Sequence, residues 1–144
     1  QAYFGPRQIW WLRLDPSGTR IEDAGPLIQV EPGRNAAAPQ QYRPVLSRSD
    51  EGELILLYVE RQEGRSSCRL RGASVRVDPE TNRPWAKPGP VLDEVEQINA
   101  HALSADGRWV YSITKNLGKP AEVHRIPLSG GWLAKMHSGT FPIE

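Results

Sequence analysis

The chain has 144 residues, 38% of them hydrophobic and 24% charged, with 18 Lys and Arg against 17 Asp and Glu. That length holds no more than one domain with a core of its own, and a net charge of +1 excludes a surface built to hold a polyanion. A single cysteine excludes an internal disulfide framework, and no apolar run approaches the length of about 18 residues that a membrane span needs.

Gly and Pro, 13 each, are more frequent than usual and forecast many turns. The chain opens on Gln1, with no charged leader ahead of an apolar stretch. The expectation is a processed chain or a fragment whose targeting signal is out of view. Residues 8–14, QIWWLRL, are aromatic and β-branched enough for a strand, and Asp15-Pro16-Ser17-Gly18 is turn chemistry before a weaker extended run from Thr19. Residues 32–41 read as a loop, because the alanine triplet between two prolines is too short to nucleate a helix. Residues 42–48 lead into a second turn, Ser49-Asp50-Glu51-Gly52. Residues 53–59, ELILLYV, form the most apolar run and suit a central strand covered on both faces.

Residues 60–69 are polar and read as a hairpin tip, and residues 70–77 alternate as a half-exposed strand. A third turn, DPETN, precedes an irregular PWAKPGPVL stretch. Residues 98–104, a turn at Ala105-Asp106-Gly107 and the strand RWVYSIT follow. Residues 122–128 then end at a fifth turn, Ser129-Gly130-Gly131, ahead of a short last strand over residues 132–137. No segment demands a helix. The reading is all-β, with ten to eleven short strands in antiparallel pairs.

Two four-part units align. RPVLSRSDEG, ELILLYVE, CRLRGASVRVDPETN and PWAKPGPVL match AHALSADG, RWVYSITK, PAEVHRIPLSGG and WLAKMHSG, with Gly52 and Gly107 as anchors 55 residues apart. The front of the chain matches only the second half of such a unit. Repeats of this kind point to radial four-stranded units. Residues 102–111, ALSADGRWVY, resemble the strand-turn-strand of TolB-like and WD40-like β-propeller repeats, residues 123–131 resemble the strand and turn that follow it, and residues 46–55 are a looser copy. The resemblance implies an incomplete propeller of antiparallel four-stranded blades, with units near 8–31 (a half), 42–92 and 98–138. It implies no single activity; the location is left unknown, with periplasmic or secreted favoured by the resemblance alone. The alternative fold is a β-sandwich of the same strand content.

Two and a half units cannot close a ring of four to eight blades. The expected partner is therefore a protein, either another chain or a second copy, that completes the propeller. No nucleic-acid partner is expected: Arg61, Arg65, Arg69, Arg71 and Arg76 form a basic streak, but Glu60 and Glu63 interrupt it, and a solvated strand face explains it. No membrane insertion is expected either.

No nucleophile elbow, zinc-binding helix motif, CxxC or phosphate-binding loop is present, and no catalytic residue or cofactor is assigned. Cys68 beside Arg65 and Arg69 reads as a strand-start cysteine. The weak metal candidates are Glu94, Glu96 and His101, with Asp93 nearby; their spacing fits no ligand signature, and a solvated loop face is the plainer reading. In the aligned units His101 starts the innermost strand and could face a channel, while His124 and His137 fall on outer strands at the surface. Five tryptophans offer flat, low-entropy contact area. Trp10 and Trp11 are adjacent, so a strand turns one inward and one outward. Trp109 and the inward member of that pair read as core, and Trp85, between Pro84 and Pro88, is the best exposed contact. The binding candidates are thus Trp85, Trp10, Trp11 and His101. The function expected is a non-enzymatic scaffold or protein-binding module. The alternatives are a piece of a propeller enzyme, a hydrolase or lyase using His101 and the acidic residues, and a glycan-binding propeller using Trp85 or the N-terminal pair.

Overall fold

The ladder of backbone hydrogen bonds begins at the paired tryptophans. The computed structural model describes residues 7–29, 39–49 and 52–128. The expected last strand with Trp132 and His137, the turn at 129–131 and most of the 32–41 loop lie outside the described residues. Within them, β1 (Trp10–Leu14), β2 (Ile21–Pro26), β3 (Gln40–Arg48), β4 (Leu54–Arg61), β5 (Cys68–Val77), β6 (Pro84–Ala86), β7 (Val91–Val95), β8 (Gln97–Leu103), β9 (Trp109–Lys115) and β10 (Glu122–Pro127) follow one another without a helix. All strand pairs are antiparallel.

The strands form three open sheets: β1–β2, a five-stranded sheet from β3 to β7, and β8–β9–β10. In the five-stranded sheet, β4 and β5 are central. The ten residues of β5 present one edge to two short partners, β6 against residues 75–77 and β7 against residues 68–71. The fourth rank is thus a single line of strand broken by Lys87-Pro88-Gly89-Pro90, where prolines cannot donate to the ladder.

Burial on β4 follows from its sequence. Successive side chains alternate between faces, and because every residue from Ile55 to Val59 is apolar, both faces are hydrophobic. Ile55, Leu57 and Val59 join Leu70, Leu92, Val95, Ile98, Val110 and Ile126 in a core shared with β8–β9–β10. Leu56 and Tyr58 join Ile9, Leu27, Ile28 and Ala86 in a second core under β1–β2, with Trp11 and Val75 packed against it. The middle sheet is covered on both sides. Burying five such side chains contributes on the order of 10 kcal/mol before chain entropy is counted.

Three hairpins close with the same hydrogen bonds. Gly18, Gly52 and Gly107 have φ of 73°, 83° and 68°, a region that glycine enters without a steric penalty. Their amides donate to the carbonyls of Asp15, Ser49 and Ser104, at 2.9, 3.0 and 2.9 Å. Side chains add to this: Asp15 Oδ1 accepts from the amides of Thr19 and Arg20, Ser49 Oγ from Glu53 and Ser104 Oγ from Trp109. Gly52 joins β3 to β4 and Gly107 joins β8 to β9, so the two anchors of the aligned units occupy equivalent turns of neighbouring sheets.

Candidate functional site

The edge strands β3 and β8 lie side by side where the two larger sheets meet, and each breaks its ladder at that point. The register of β3 slips between Tyr42 and Val45, and that of β8 between Ile98 and Ala100. Pro44 removes a donor from β3 and accounts for its bulge. Arg43, immediately before it, has φ of 52°, sparsely populated for a residue with a Cβ. Its guanidinium Nη1 donates to the carbonyl of Asn99, so the two bulges are tied to each other.

A cleft of about 670 Å³ opens at this seam, lined in part by Arg7, Tyr42, Arg43, Arg61, Glu96 and Lys115. Arg61 Nη2 donates to the Glu96 carbonyl at 2.9 Å, while its Nε is buried without a partner among the described residues. The Glu96 carboxylate accepts from the Leu117 amide. Burial first, and the neighbouring Cys68 second, raise the pKa of Tyr42 above the ordinary tyrosine value, which keeps its hydroxyl neutral and able to donate.

A polar row crosses the inner face of β8–β9–β10. His101, Ser112 and His124 are register partners on the three strands. Ser112 Oγ donates to Asp93 Oδ2 at 2.8 Å, and His124 Nδ1 lies 2.8 Å from the same oxygen. Asp93 reaches them from β7 in the neighbouring sheet and is 1% exposed. Thr114 Oγ1 and Glu122 Oε2 lie 3.4 and 3.2 Å from His124 Nε2. This grouping of serine, histidine and aspartate is no nucleophilic triad. Ser112 is fully buried and bonds the carboxylate rather than the imidazole, so the histidine is not placed to take its proton and no substrate can reach it. It is a polar bridge between two sheets.

The two histidines in the row respond to opposite neighbours. Burial opposes charge on His124, but the hydrogen bonds and negative charges of Asp93 and Glu122 outweigh it, and its pKa is raised. His101 is 8% exposed, has no partner for either ring nitrogen among the described residues, and stands near Arg43. Burial, with the Arg43 charge second, lowers its pKa to about 4.

The metal candidates are not assembled. Glu94 accepts from Ser67 Oγ at 3.1 Å and pairs with Arg69 at 3.4 Å. Glu96 caps the Leu117 amide, and His101 is enclosed at the seam. Among the described residues no three His, Cys, Asp or Glu side chains are grouped to hold a metal ion. Two expectations for the polar groups need correction. Asp93 lies within a strand and is buried, not part of a solvated loop face, because Ser112 and His124 supply its hydrogen bonds. His124 is half-buried instead of lying freely at the surface, because its ring turns toward Asp93. The basic streak is also divided: Arg69 pairs with Glu94, Arg71 pairs with Glu60 at 3.1 Å, and Arg61 turns into the cleft.

Trp10 is 57% exposed, and Trp11 packs inward over Gly25. Trp85 is half-buried, opposite Arg76 on β5. Trp11 and Trp85 line one shallow depression of about 330 Å³ together with Gln29, Asp78 and Arg83. Trp109, expected in the core, is instead half-buried on the outer face of its sheet, because β9 turns Val110, Ser112 and Thr114 inward; the Arg125 guanidinium lies 4.3 Å from its ring centre. No family model, curated protein or solved structure matches the chain.

Proposed function

We propose that this chain is a non-enzymatic binding module of incomplete β-propeller type, and that its partner is a protein, another chain or a second copy, which covers the ends of its stack of sheets. The observation that carries this reading is the apolar surface left at both ends. On the outer side of β1–β2, Trp10, Leu12, Leu14 and Ile21 are exposed. On the outer side of β8–β9–β10, Tyr111, Ile113 and Val123 are exposed beside Trp109. Among the described residues, the middle sheet, whose both faces are apolar, is covered on both, and the outer sheets have one covered face each. The repeated glycine turns and the four-rank middle sheet support the blade reading over a two-sheet sandwich. An uncovered apolar face of about 400 Å² represents roughly 10 kcal/mol of unused burial, comparable with the whole stability of a domain. The purified chain should therefore sediment or scatter light as an assembly or an aggregating species, and Ile113→Lys, on an outer face, should reduce its mass. A dilute monomer with a cooperative melt overturns the proposal.

A second reading rests on Trp11 and Trp85. Two indoles in one depression, with a carboxylate, a guanidinium and an amide beside them, suit a sugar ring, which offers apolar C–H faces and hydroxyls together. Oligosaccharide titration should quench tryptophan fluorescence in a saturable way and fail to do so in Trp85→Ala. A flat response across a glycan panel removes this reading.

A further inference from the structure

We propose that the cleft at the β3–β8 seam is a binding site for a small, multiply charged oxyanion, a phosphate-bearing or polycarboxylate molecule. Four cationic side chains, Arg7, Arg43, Arg61 and Lys115, line one cleft of about 670 Å³ against one carboxylate, Glu96. This imbalance is local, since the whole chain carries a net charge of only +1. The other arginines near the seam are neutralised: Arg69 by Glu94 and Arg71 by Glu60. No carboxylate among the described residues forms an ion pair with Arg7, Arg43, Arg61 or Lys115. Arg43 and Arg61 each spend one nitrogen on a backbone carbonyl, which fixes the position of the fork without cancelling its charge. Arg61 Nε is buried and makes no hydrogen bond among the described residues, while Tyr42 and Cys68 lie near the rest of its guanidinium.

A second observation lies next to the cleft, across Arg43. Arg43 also lines a smaller depression with His101, whose two ring nitrogens are buried and unpartnered among the described residues. Burial and the Arg43 charge keep this imidazole neutral, so it adds no second cation and leaves a buried N–H near Arg43 without an acceptor among the described residues. Two register slips and a non-glycine residue at φ 52° hold Arg43 in place. Such irregularities gather where a strand must re-aim a side chain. Planar guanidinium forks match the oxygens of phosphate and carboxylate in pairs, and Lys115 adds a mobile point charge. The volume exceeds that of a lone inorganic ion and falls in the range of about 300–1,000 Å³ usual for small-molecule sites.

Calorimetric titration of the full chain with pyrophosphate and with citrate, at low salt, tests the proposal and separates phosphoryl from carboxylate preference. Saturable binding of at least one is expected, weakened at least tenfold in Arg61→Gln and Lys115→Gln and unchanged in Arg76→Gln, outside the cleft. Arg43→Gly guards against a folding artefact: glycine accepts φ 52° without strain, which offsets the lost bond to the Asn99 carbonyl, so that variant should melt close to the parent and still lose binding. Arg43→Lys should keep the charge, lose the fork and bind with an intermediate affinity. No saturable heat with either anion, or binding that survives unchanged in Arg43→Gly and Lys115→Gln, overturns the proposal.

Discussion

Replacing Gly89 with alanine should destabilise the chain by about 3 kcal/mol or more, enough to lower its melting temperature by roughly 6–12 °C. The cause is space, not backbone conformation. A Cβ on Gly89 would stand 1.4 Å from the carbonyl oxygen of Gly72 and 2.6 Å from its carbon. Both of those atoms belong to main chain in the middle of β5, opposite Leu57 of β4. No side-chain rotation can relieve such a contact. Either the 87–90 segment lifts from the sheet or β5 bends away from β4. Lifting the segment strips Arg71 of the Gly89 carbonyl to which its Nη1 donates and pulls on β6 and β7, which flank the break. Bending β5 opens both cores, because β4 and β5 supply residues to each. Gly64 makes the useful contrast. It has φ of 78°, and a methyl group there would meet nothing within 4 Å, so Gly64→Ala should cost only the left-handed backbone strain of about 1–2 kcal/mol. Urea unfolding of the two variants beside the parent checks the ranking; equal losses would remove the close-approach argument.

The same pair of glycines shows where sequence reading stops. The run ELILLYV announces a doubly covered strand by itself, because no polar residue interrupts it, and β4 has that burial. The turns at Gly18, Gly52 and Gly107 are also legible, since glycine permits the positive φ and an Asp or Ser three residues before it supplies a side-chain acceptor for an amide beyond the turn. The all-β class follows from these local signals. The PWAKPGPVL stretch reads as irregular for a sound reason, its prolines, yet it contributes β6 and β7. What makes it strand is the spare edge of β5, a distant partner that local sequence does not reveal. The bulges of β3 and β8 are a second case. Arg43-Pro44 hints at a broken ladder, but nothing in residues 97–103 foretells the matching slip. Asp93 is a third. In RWVYSIT the face of Trp109, Tyr111 and Ile113 is the more apolar, so the sequence pattern favours burying it, yet the structure buries Val110, Ser112 and Thr114. Two hydroxyls on a buried face need partners, and Asp93, reaching across from the neighbouring sheet, is a partner of Ser112 that the local sequence does not reveal.

Asp93→Ala should lower stability by about 3–5 kcal/mol, the usual cost of breaking a buried, charge-assisted bridge from one side. The variant removes the acceptor shared by Ser112 Oγ and His124 Nδ1 and leaves both inside the interface between sheets. The bridge also sets how stability varies with pH. His124 has a folded-state pKa above its ordinary value of 6.5. The folded state therefore binds its proton more tightly than the unfolded state does. That contribution is fully present below pH 6.5 and is lost as the pH rises through the raised folded value. His101 has the opposite sense. Its folded pKa is about 4 against 6.5, so its contribution is present above pH 6.5 and is lost as the pH falls toward 4, by about 3 kcal/mol in all. The carboxylates of Asp15 and Asp106, whose pKa values are lowered from 3.8, act only below that window. Stability should consequently peak near pH 6.5 and fall on both sides. Asp93→Asn keeps the shape of the side chain and removes its charge, so it should flatten the alkaline side, where His124 loses its partner, and leave the acid side in place. His101→Leu should do the reverse and, by removing two buried nitrogens that have no partner among the described residues, should cost little at neutral pH. Chemical denaturation from about pH 4 to 9 on the parent and the two variants separates the limbs. If His101→Leu retains the full acid loss, His101 is not its source; if Asp93→Asn leaves the alkaline slope unchanged, the bridge does not set it.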